Sequence, residues 1–240
     1  PDLIHIATEG PLGLYARKVC LMKKIKFSSS YHTNYPLYLK KMLGIPVQFT
    51  NRFERWFHNA ACVTLVNTPS HKKELEEIGI KKLALWSRGI DENIFFPTLS
   101  DRNNSYYLYV GRVSKEKNLE SFLSLELDKK KVVVGDGPSL KSLKKKYPDV
   151  EFLGYKFGRE LAEIYSNACV KVFPSRTDTF GIVMIEANAC GTPVAGYPVT
   201  GPIDVVKNGV NGYLNKDLYQ AIKQAQKVDP KSCIAYSKKY

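Results

Sequence analysis

Two carboxylates, Asp178 and Glu186, stand eight positions apart in Pro174-Ser175-Arg176-Thr177-Asp178-Thr179-Phe180-Gly181-Ile182-Val183-Met184-Ile185-Glu186-Ala187. An apolar β-like run ends at Pro174, a polar loop follows, and a helix is predicted from about Gly181. In a parallel sheet this is the C-terminal edge, where ligands bind. A glycine at the helix start lets an anion approach free backbone N–H groups, with the helix dipole in its favour. With most of that span helical, a rise of about 1.5 Å per residue sets the acids roughly 12 Å apart. Paired glycosidase carboxylates sit only about 5–9.5 Å apart. The spacing suits two acids gripping opposite ends of one elongated ligand; the plainer alternative is a helix-terminal Asp and a solvated Glu. Met184, Ile185, Ala187 and Ala189 surround Glu186 in sequence, and an acid buried by such neighbours needs a partner.

A second group is Val110-Gly111-Arg112-Val113-Ser114-Lys115-Glu116-Lys117-Asn118, a strand end followed by three cations and a helix from about Asn118. Arg offers phosphate a bidentate fork and Lys a point charge. Glu116 is expected at the surface, and a solvated basic loop is the alternative. Gly135-Asp136-Gly137-Pro138 and Thr200-Gly201-Pro202 follow strands in the same way, each alone only a turn. Four strand ends bearing Gly or charge suit one diphosphate ligand. Earlier in the chain, His32 in Ser30-Tyr31-His32-Thr33-Asn34-Tyr35 follows a strand and precedes a helical segment near Pro36. A lone His is more often structural, but this one stands at a strand end. Glu9, in Ala7-Thr8-Glu9-Gly10, ends the first strand and is the chemically useful member of its loop.

Ten strands are predicted to carry these loops: Leu3–Ala7, Phe27–Tyr31, Ala61–Asn67, Leu83–Trp86, Tyr106–Val110, Val132–Val134, Val150–Leu153, Val170–Phe173, Val194–Tyr197 and Gly212–Leu214. Helical patterns lie between them, among them Leu14–Lys24, Val47–Ala60, Ser70–Ile78, Leu140–Lys146, Ile182–Ala189 and Leu218–Lys227. Strands alternating with helices imply right-handed βαβ units and parallel sheets, an α/β fold. The polar, turn-rich Pro97–Ser105 stretch suggests a boundary, after which a fresh βα series starts at Tyr106. The 240 residues begin with Pro1 and close inside an amphipathic pattern, so the chain reads as truncated at both ends.

Hydrophobic residues are 44% and charged residues 25%, ordinary for a globular protein. No run approaches the 18 or so apolar residues that span a bilayer. The five cysteines form no C-x-x-C pair, which speaks against zinc and thioredoxin-like motifs. The net charge is +13, with 13 basic and 6 acidic residues up to Leu85 and 23 and 17 after it. An even basic excess suits anionic partners in general. One alternative to an enzyme is therefore a basic non-catalytic module for nucleic acid or an anionic membrane surface. Lys23, Lys24, Lys26, Lys40 and Lys41 beside Leu21, Met22, Leu39, Met42 and Leu43 suit peripheral membrane contact. Lys129–Lys131 and Lys144–Lys146 fall in separate α/β units without an aromatic RNA-binding motif, so nucleic acid is not the expected partner.

Taken together, Asp178-Thr179-Phe180-Gly181 through Glu186, Gly111-Arg112 with Glu116-Lys117-Asn118, Arg88-Gly89-Ile90-Asp91, Gly135-Asp136-Gly137-Pro138, Cys190-Gly191-Thr192-Pro193 and His32 resemble retaining glycosyltransferases of family 4. Trp86-Ser87-Arg88-Gly89 and Pro198–Asp204 look most like mannosyltransferase-type, glycolipid-forming members. The family's first acid is usually Glu, and here it is Asp178. The resemblance implies the GT-B fold, two Rossmann-like domains whose parallel sheets face across a cleft. It places the C-terminal part of an incomplete acceptor-side domain at 1–85, a linker at 86–105 and the donor domain at 106–240.

The implied reaction moves a hexose from GDP-mannose or a UDP-sugar, with retention, to a lipid or glycan acceptor. The nucleotide sugar is a co-substrate; no cofactor and no metal are expected. By resemblance, Arg112, Lys117 and Gly181 hold the donor diphosphate. Phe180, Gly154, Tyr155, Gly135 and Gly201 line the sugar and nucleotide. His32, Asp178 and Glu186 serve the reacting sugar and ribose, and Glu9 is an acceptor-side candidate. The implied location is the cytoplasm, at the inner face of the cell membrane. The fragment itself is expected to bind nucleotide without transferring sugar.

Overall fold

The computed structural model describes residues 2–32, 34–98 and 105–240, with only the backbone of 37, 38, 41 and 42. Most of the turn-rich boundary stretch, residues 99–104, and the side chains of Lys41 and Met42 lie outside the described residues. The chain divides into two compact units, residues 1–88 with 177–180, and residues 89–176 with 181–240.

The first unit holds a four-stranded parallel sheet in the order β1 (His5–Ile6), β2 (Ser28–Tyr31), β3 (Val63–Val66), β4 (Leu83–Leu85). Helix α1 (Pro11–Met22) connects β1 to β2, and α2 (Tyr35–Leu43) and α3 (Val47–His58) lead on to β3. Helix α4 (Pro69–Glu77) leads to β4. Thr68 caps α4 by accepting from the His71 N–H, with Pro69 at the first helical position. Among the described residues the unit has two apolar clusters. Ile6, Cys20, Phe27, Phe57 and Ala61 form one; Tyr31, Val66, Leu75 and Ile80 form the other. Helix α3 buries Thr50, Glu54, Phe57 and His58, positions that share one face at 3.6 residues per turn. Two of the four are titratable.

The second unit holds a six-stranded parallel sheet: β5 (Tyr106–Val110), β6 (Lys130–Val134), β7 (Glu151–Gly154), β8 (Ala168–Phe173), β9 (Val194–Gly196) and β10 (Gly212–Leu214). Its order is β10-β9-β8-β5-β6-β7. Successive strands first run outward from β5 to β7, then start again at β8 on the other side of β5 and run to β10. That reversal makes the β5–β8 boundary a topological switch point, the ligand-binding crevice of doubly wound folds. The strands are near-continuous Val and aromatic runs, as burial on both faces demands. Tyr107, Tyr109, Val133, Val170, Val172, Ala195 and Ile222 belong to one core.

The unit's helices are α5 (Glu120–Leu123), α6 (Leu140–Lys146), α7 (Gly158–Asn167), α8 (Ile182–Ala189), α9 (Pro202–Val205), α10 (Leu218–Ala225) and α11 (Pro230–Ser237). Helix α11 packs on α8, and an Asp229 cap with Pro230 at the first position starts it. All ten predicted strands are present; β1 to β4 and β9 are shorter by a residue or two at their ends, β6 and β8 begin two residues earlier, and β7 is shifted by one. Two differences concern the loops. A 3-10 turn at Lys115–Lys117 precedes α5, which therefore starts at Glu120 rather than Asn118. The Thr200–Pro202 turn opens the four-residue α9, with Gly201 as its cap.

Candidate active site

The loops after β5, β6 and β7 are layered backbone on backbone. The Gly111 N–H bonds Val134 O at 3.0 Å, the Gly135 N–H bonds Gly154 O at 2.7 Å and the Val113 N–H bonds Asp136 O at 2.9 Å. Gly135 has φ +125°, and a Cβ there would stand 2.0 Å from the Gly111 carbonyl oxygen. Its glycine is thus required by loop packing before any ligand is considered. Tyr109 Oη donates to Arg112 O at 2.8 Å and braces the same turn.

On this base Arg112 is exposed and Lys117 half-buried. Glu116 is half-buried rather than at the surface, and accepts from Ser114 Oγ. Burial pushes its carboxyl up, but the Ser114 hydroxyl, its own backbone N–H and the charges of Arg112 and Lys117 outweigh burial and hold it below the usual range. Asn118, in the left-handed region at φ 56°, donates from Nδ2 to Pro174 O at 3.1 Å. That bond ties the cationic loop after β5 to the loop after β8 across the switch point.

Beyond Pro174, Arg176 stacks 3.7 Å over the Tyr197 ring, an arginine to which the sequence pattern assigned no role. Gly181 caps α8 at φ +83°, and a Cβ there would lie 2.8 Å from the Phe173 ring. Only glycine fits. Because α8 starts at Ile182, the Asp178–Glu186 span is only partly helical and the 12 Å expectation loses its basis.

Glu186 is half-buried, and its partner is Tyr165 of α7, whose Oη donates to Glu186 Oε2 at 2.9 Å. Burial raises the Glu186 carboxyl above its ordinary value, against the Tyr165 hydrogen bond and the charge of Lys171. Tyr165 is fully buried and meets the Phe95 ring edge-on at 6.2 Å. No motif pointed to Tyr165; the only sequence signal was that Glu186 lacked a visible partner. Lys171 is also fully buried, its Nζ 3.1 Å from Val172 O and 5.1 Å from the centroids of Tyr109 and Phe173.

Tyr155 follows β7, stacked on Phe157 at 5.9 Å and 14°, with both rings largely exposed. Gly154 ends β7 beside it, and Gly201 opens α9 after β9.

The other expected residues belong to the first unit. His32 is half-buried after β2, with Nδ1 3.4 Å from Arg88 Nη2 and 3.5 Å from Asn67 Nδ2. Burial, then the Arg88 and His5 charges, lower its pKa against the pull of Glu9, so the ring is neutral near pH 7. Asp178 and Phe180 fall in the 177–180 segment, in which Thr179 Oγ1 donates to His32 O at 2.8 Å. The Phe180 ring is buried, so what that residue can offer a ligand is backbone. Glu9 is buried too, its Oε1 2.7 Å from His58 Nε2.

The family described as Glycosyl transferases group 1 matches residues 90–229, and Glycosyltransferase Family 4 matches residues 1–94. The chain belongs to the group 1 glycosyltransferases. A GDP-mannose-dependent alpha-mannosyltransferase of Corynebacterium glutamicum is 32% identical over 227 residues, spanning 89% of this chain and 55% of that protein. Sulfoquinovosyl transferase SQD2 of Arabidopsis thaliana is 30% identical over 240 residues, spanning 89% of this chain and 46% of that protein. The chain thus spans about half the length of these curated relatives. The solved Anabaena protein HepE, in complex with UDP and glucose, superposes with a TM-score of 0.78 at 17% identity, covering 98% of this chain and 73% of that one. The fold of this group 1 chain is accordingly of GT-B type, as the resemblance implied.

Proposed function

We propose that this chain carries the donor-binding part of a retaining hexosyltransferase that uses GDP-mannose or a UDP-sugar and a lipid or glycan acceptor. The observation that carries this reading is the β5–β8 switch point, where Asn118 ties the Arg112–Lys117 loop to Pro174 and a buried tyrosine braces Glu186. In this reading residues 106–240 bind the donor, 86–105 connect, and 1–85 serve the acceptor. Named relatives supply the donor classes, GDP-mannose for the bacterial alpha-mannosyltransferase and UDP for HepE.

Arg112 and Lys117 take the diphosphate, where charge develops as the glycosidic bond to it breaks. The free N–H groups at the start of α8 add to them without cost of reorganisation. Glu186 accepts from ribose hydroxyls, and Tyr165 holds it in one rotamer for that purpose. Tyr155 and Phe157 offer the base a stacking platform. Asp178 and the Phe180–Gly181 backbone take the hexose, with neutral His32 near the transferred sugar. Glu9 lies on the acceptor side, and the transfer itself needs no metal.

A peripheral location at the inner face of the cell membrane is supported by α3. It exposes Phe49, Phe53 and Trp56 beside Arg52 and Arg55. Among the described residues no helix is long and apolar enough to cross a membrane.

Calorimetry with UDP, GDP, UDP-glucose and GDP-mannose tests the reading. Glu186→Gln is expected to weaken nucleoside diphosphate and intact donor alike, since ribose is common to both. Asp178→Asn is expected to spare the diphosphate and weaken only the intact donor. Equal loss of the diphosphate in both variants would refute the end-to-end grip.

A further inference from the structure

We propose that Glu9, Glu54 and His58 form a site for one divalent cation in the first unit. One carboxylate oxygen from each glutamate and a ring nitrogen of His58 all lie within 4.8 Å of one another. His58 Nε2 is 2.7 Å from Glu9 Oε1 and 3.4 Å from Glu54 Oε2. Helix α3 presents Glu54 and His58 one turn apart on its buried face, and the loop between β1 and α1 brings Glu9 to them. The three side chains are 94–100% buried.

Three observations point to an ion. The first is charge. One imidazole nitrogen carries at most one proton and serves one short hydrogen bond at a time. Here it faces two buried carboxylates, and among the described residues Glu54 Oε2 is left without a hydrogen bond. A buried carboxylate oxygen so placed is costly unless a cation meets it. The second is orientation. His58 Nδ1 bonds Ser29 Oγ at 3.0 Å, and Ser29 Oγ bonds Thr64 Oγ1 at 2.9 Å. A hydrogen bond of this kind fixes the tautomer and ring plane of a metal-binding histidine, leaving Nε2 as the ligand atom. The third is access. A cavity of about 320 Å³ is lined by Glu9, Thr50, Glu54, Tyr35, Phe49 and Phe53. It gives the ion an entry path and leaves coordination positions for water or a ligand oxygen.

One imidazole and two carboxylates with open positions suit Zn²⁺, Mn²⁺, Fe²⁺ or Co²⁺; the nitrogen ligand makes Ca²⁺ and Mg²⁺ poorer fits. This ion would sit in the first unit, and the expectation of metal-free transfer concerns the donor diphosphate, so either can stand without the other.

The chelator-treated 240-residue chain, titrated with Zn²⁺ and separately with Mn²⁺ in a calorimeter, is expected to show one saturable site. Glu54→Gln is expected to lower that affinity about ten- to a hundredfold or more. Co²⁺ added to the unsubstituted chain is expected to give ligand-field bands without a thiolate charge-transfer band, which identifies nitrogen and oxygen ligands even where Glu54→Gln does not fold. Three results would each overturn the proposal. One is the absence of any site tighter than about 1 mM. Another is an affinity unchanged in folded Glu54→Gln. The last is a thiolate band, which would place the ion on a cysteine such as exposed Cys62.

Discussion

The two units solve the same βαβ problem with opposite placement of polar groups. The second keeps its sheet interior apolar apart from Lys171 of β8, and carries Arg112 and Lys117 in the loop beyond β5 and Glu186 in the second turn of α8. The first brings Glu9, Ser29, His58 and Thr64 inside as one hydrogen-bonded chain, with buried Glu54 3.4 Å from His58. Open strand-end charges are available to a ligand and contribute little to folding. Enclosed ones are costly when a partner is lost. Stability in the first unit and affinity in the second should therefore respond to different substitutions.

The sharpest way to break that contrast is His58→Leu. It strands Glu9 and Glu54 together, and loss of one member of a buried ionic cluster costs about 3–5 kcal/mol. Urea denaturation reads this directly, and a loss within error of zero would undo the contrast. The same titration carries a pH signature. Burial disfavours charged His58, but the Glu54 and Glu9 carboxylates beside it outweigh this and raise its pKa above 6.5. Burial raises Glu54 above 4.5, with the Glu9 charge adding to it against the pull of His58. The folded chain thus binds protons more tightly than the unfolded one at both groups. The stability they contribute is full below those ordinary values and is lost as pH rises through the folded ones. With chelator present, the urea midpoint should fall as pH rises from about 5 to 8, and less so in His58→Leu.

Next in size is Gly135→Ala. Positive-φ strain and a Cβ driven onto the Gly111 carbonyl cost about 2–4 kcal/mol together, a loss of stability in the second unit that has nothing to do with charge. Arg112→Ala should do the converse. Charge-assisted bonds are worth about 1.5–3 kcal/mol each, so UDP or GDP binding should weaken roughly ten- to a hundredfold while Tm stays unchanged. A large Tm loss in Arg112→Ala would mean that the loop cations help hold the fold. Tyr165→Phe lies between the two classes. It removes the donor to a half-buried carboxylate, at about 1–2 kcal/mol, and should weaken nucleotide binding by loosening Glu186. Smallest is Glu120→Gln, which breaks an exposed pair with Lys146. No change in Tm or in nucleotide affinity is expected there, which marks the floor of the scale.

Much of the second unit was legible because its signals are local. Alternating apolar runs and helical stretches mark its six strands, and Gly111-Arg112, Gly181 and Glu186 announce a strand-end site by residue type and spacing. Helix α11 shows a signal that was present and passed over, since Asp229 followed by Pro230 is a helix start. Tyr165 was not legible as a site residue, Asn118 was legible only as the end of the cationic loop, and Arg176 was not legible either. Each works through a partner distant in sequence, Glu186, Pro174 and Tyr197 respectively.

The amino-acid sequence by itself determined the α/β class, the strand positions and the membership of the cationic and acidic loops. These follow from periodicity and from backbone demands that a few adjacent residues satisfy. Tertiary structure alone decided the strand order that sets β5 against β8, and with it which loops face each other. It also decided that Glu9 from one loop meets Glu54 and His58 from a helix. Sequence patterns report whether a side chain is apolar or charged. They do not report which distant charge it is buried against, because that depends on packing between elements far apart in the chain.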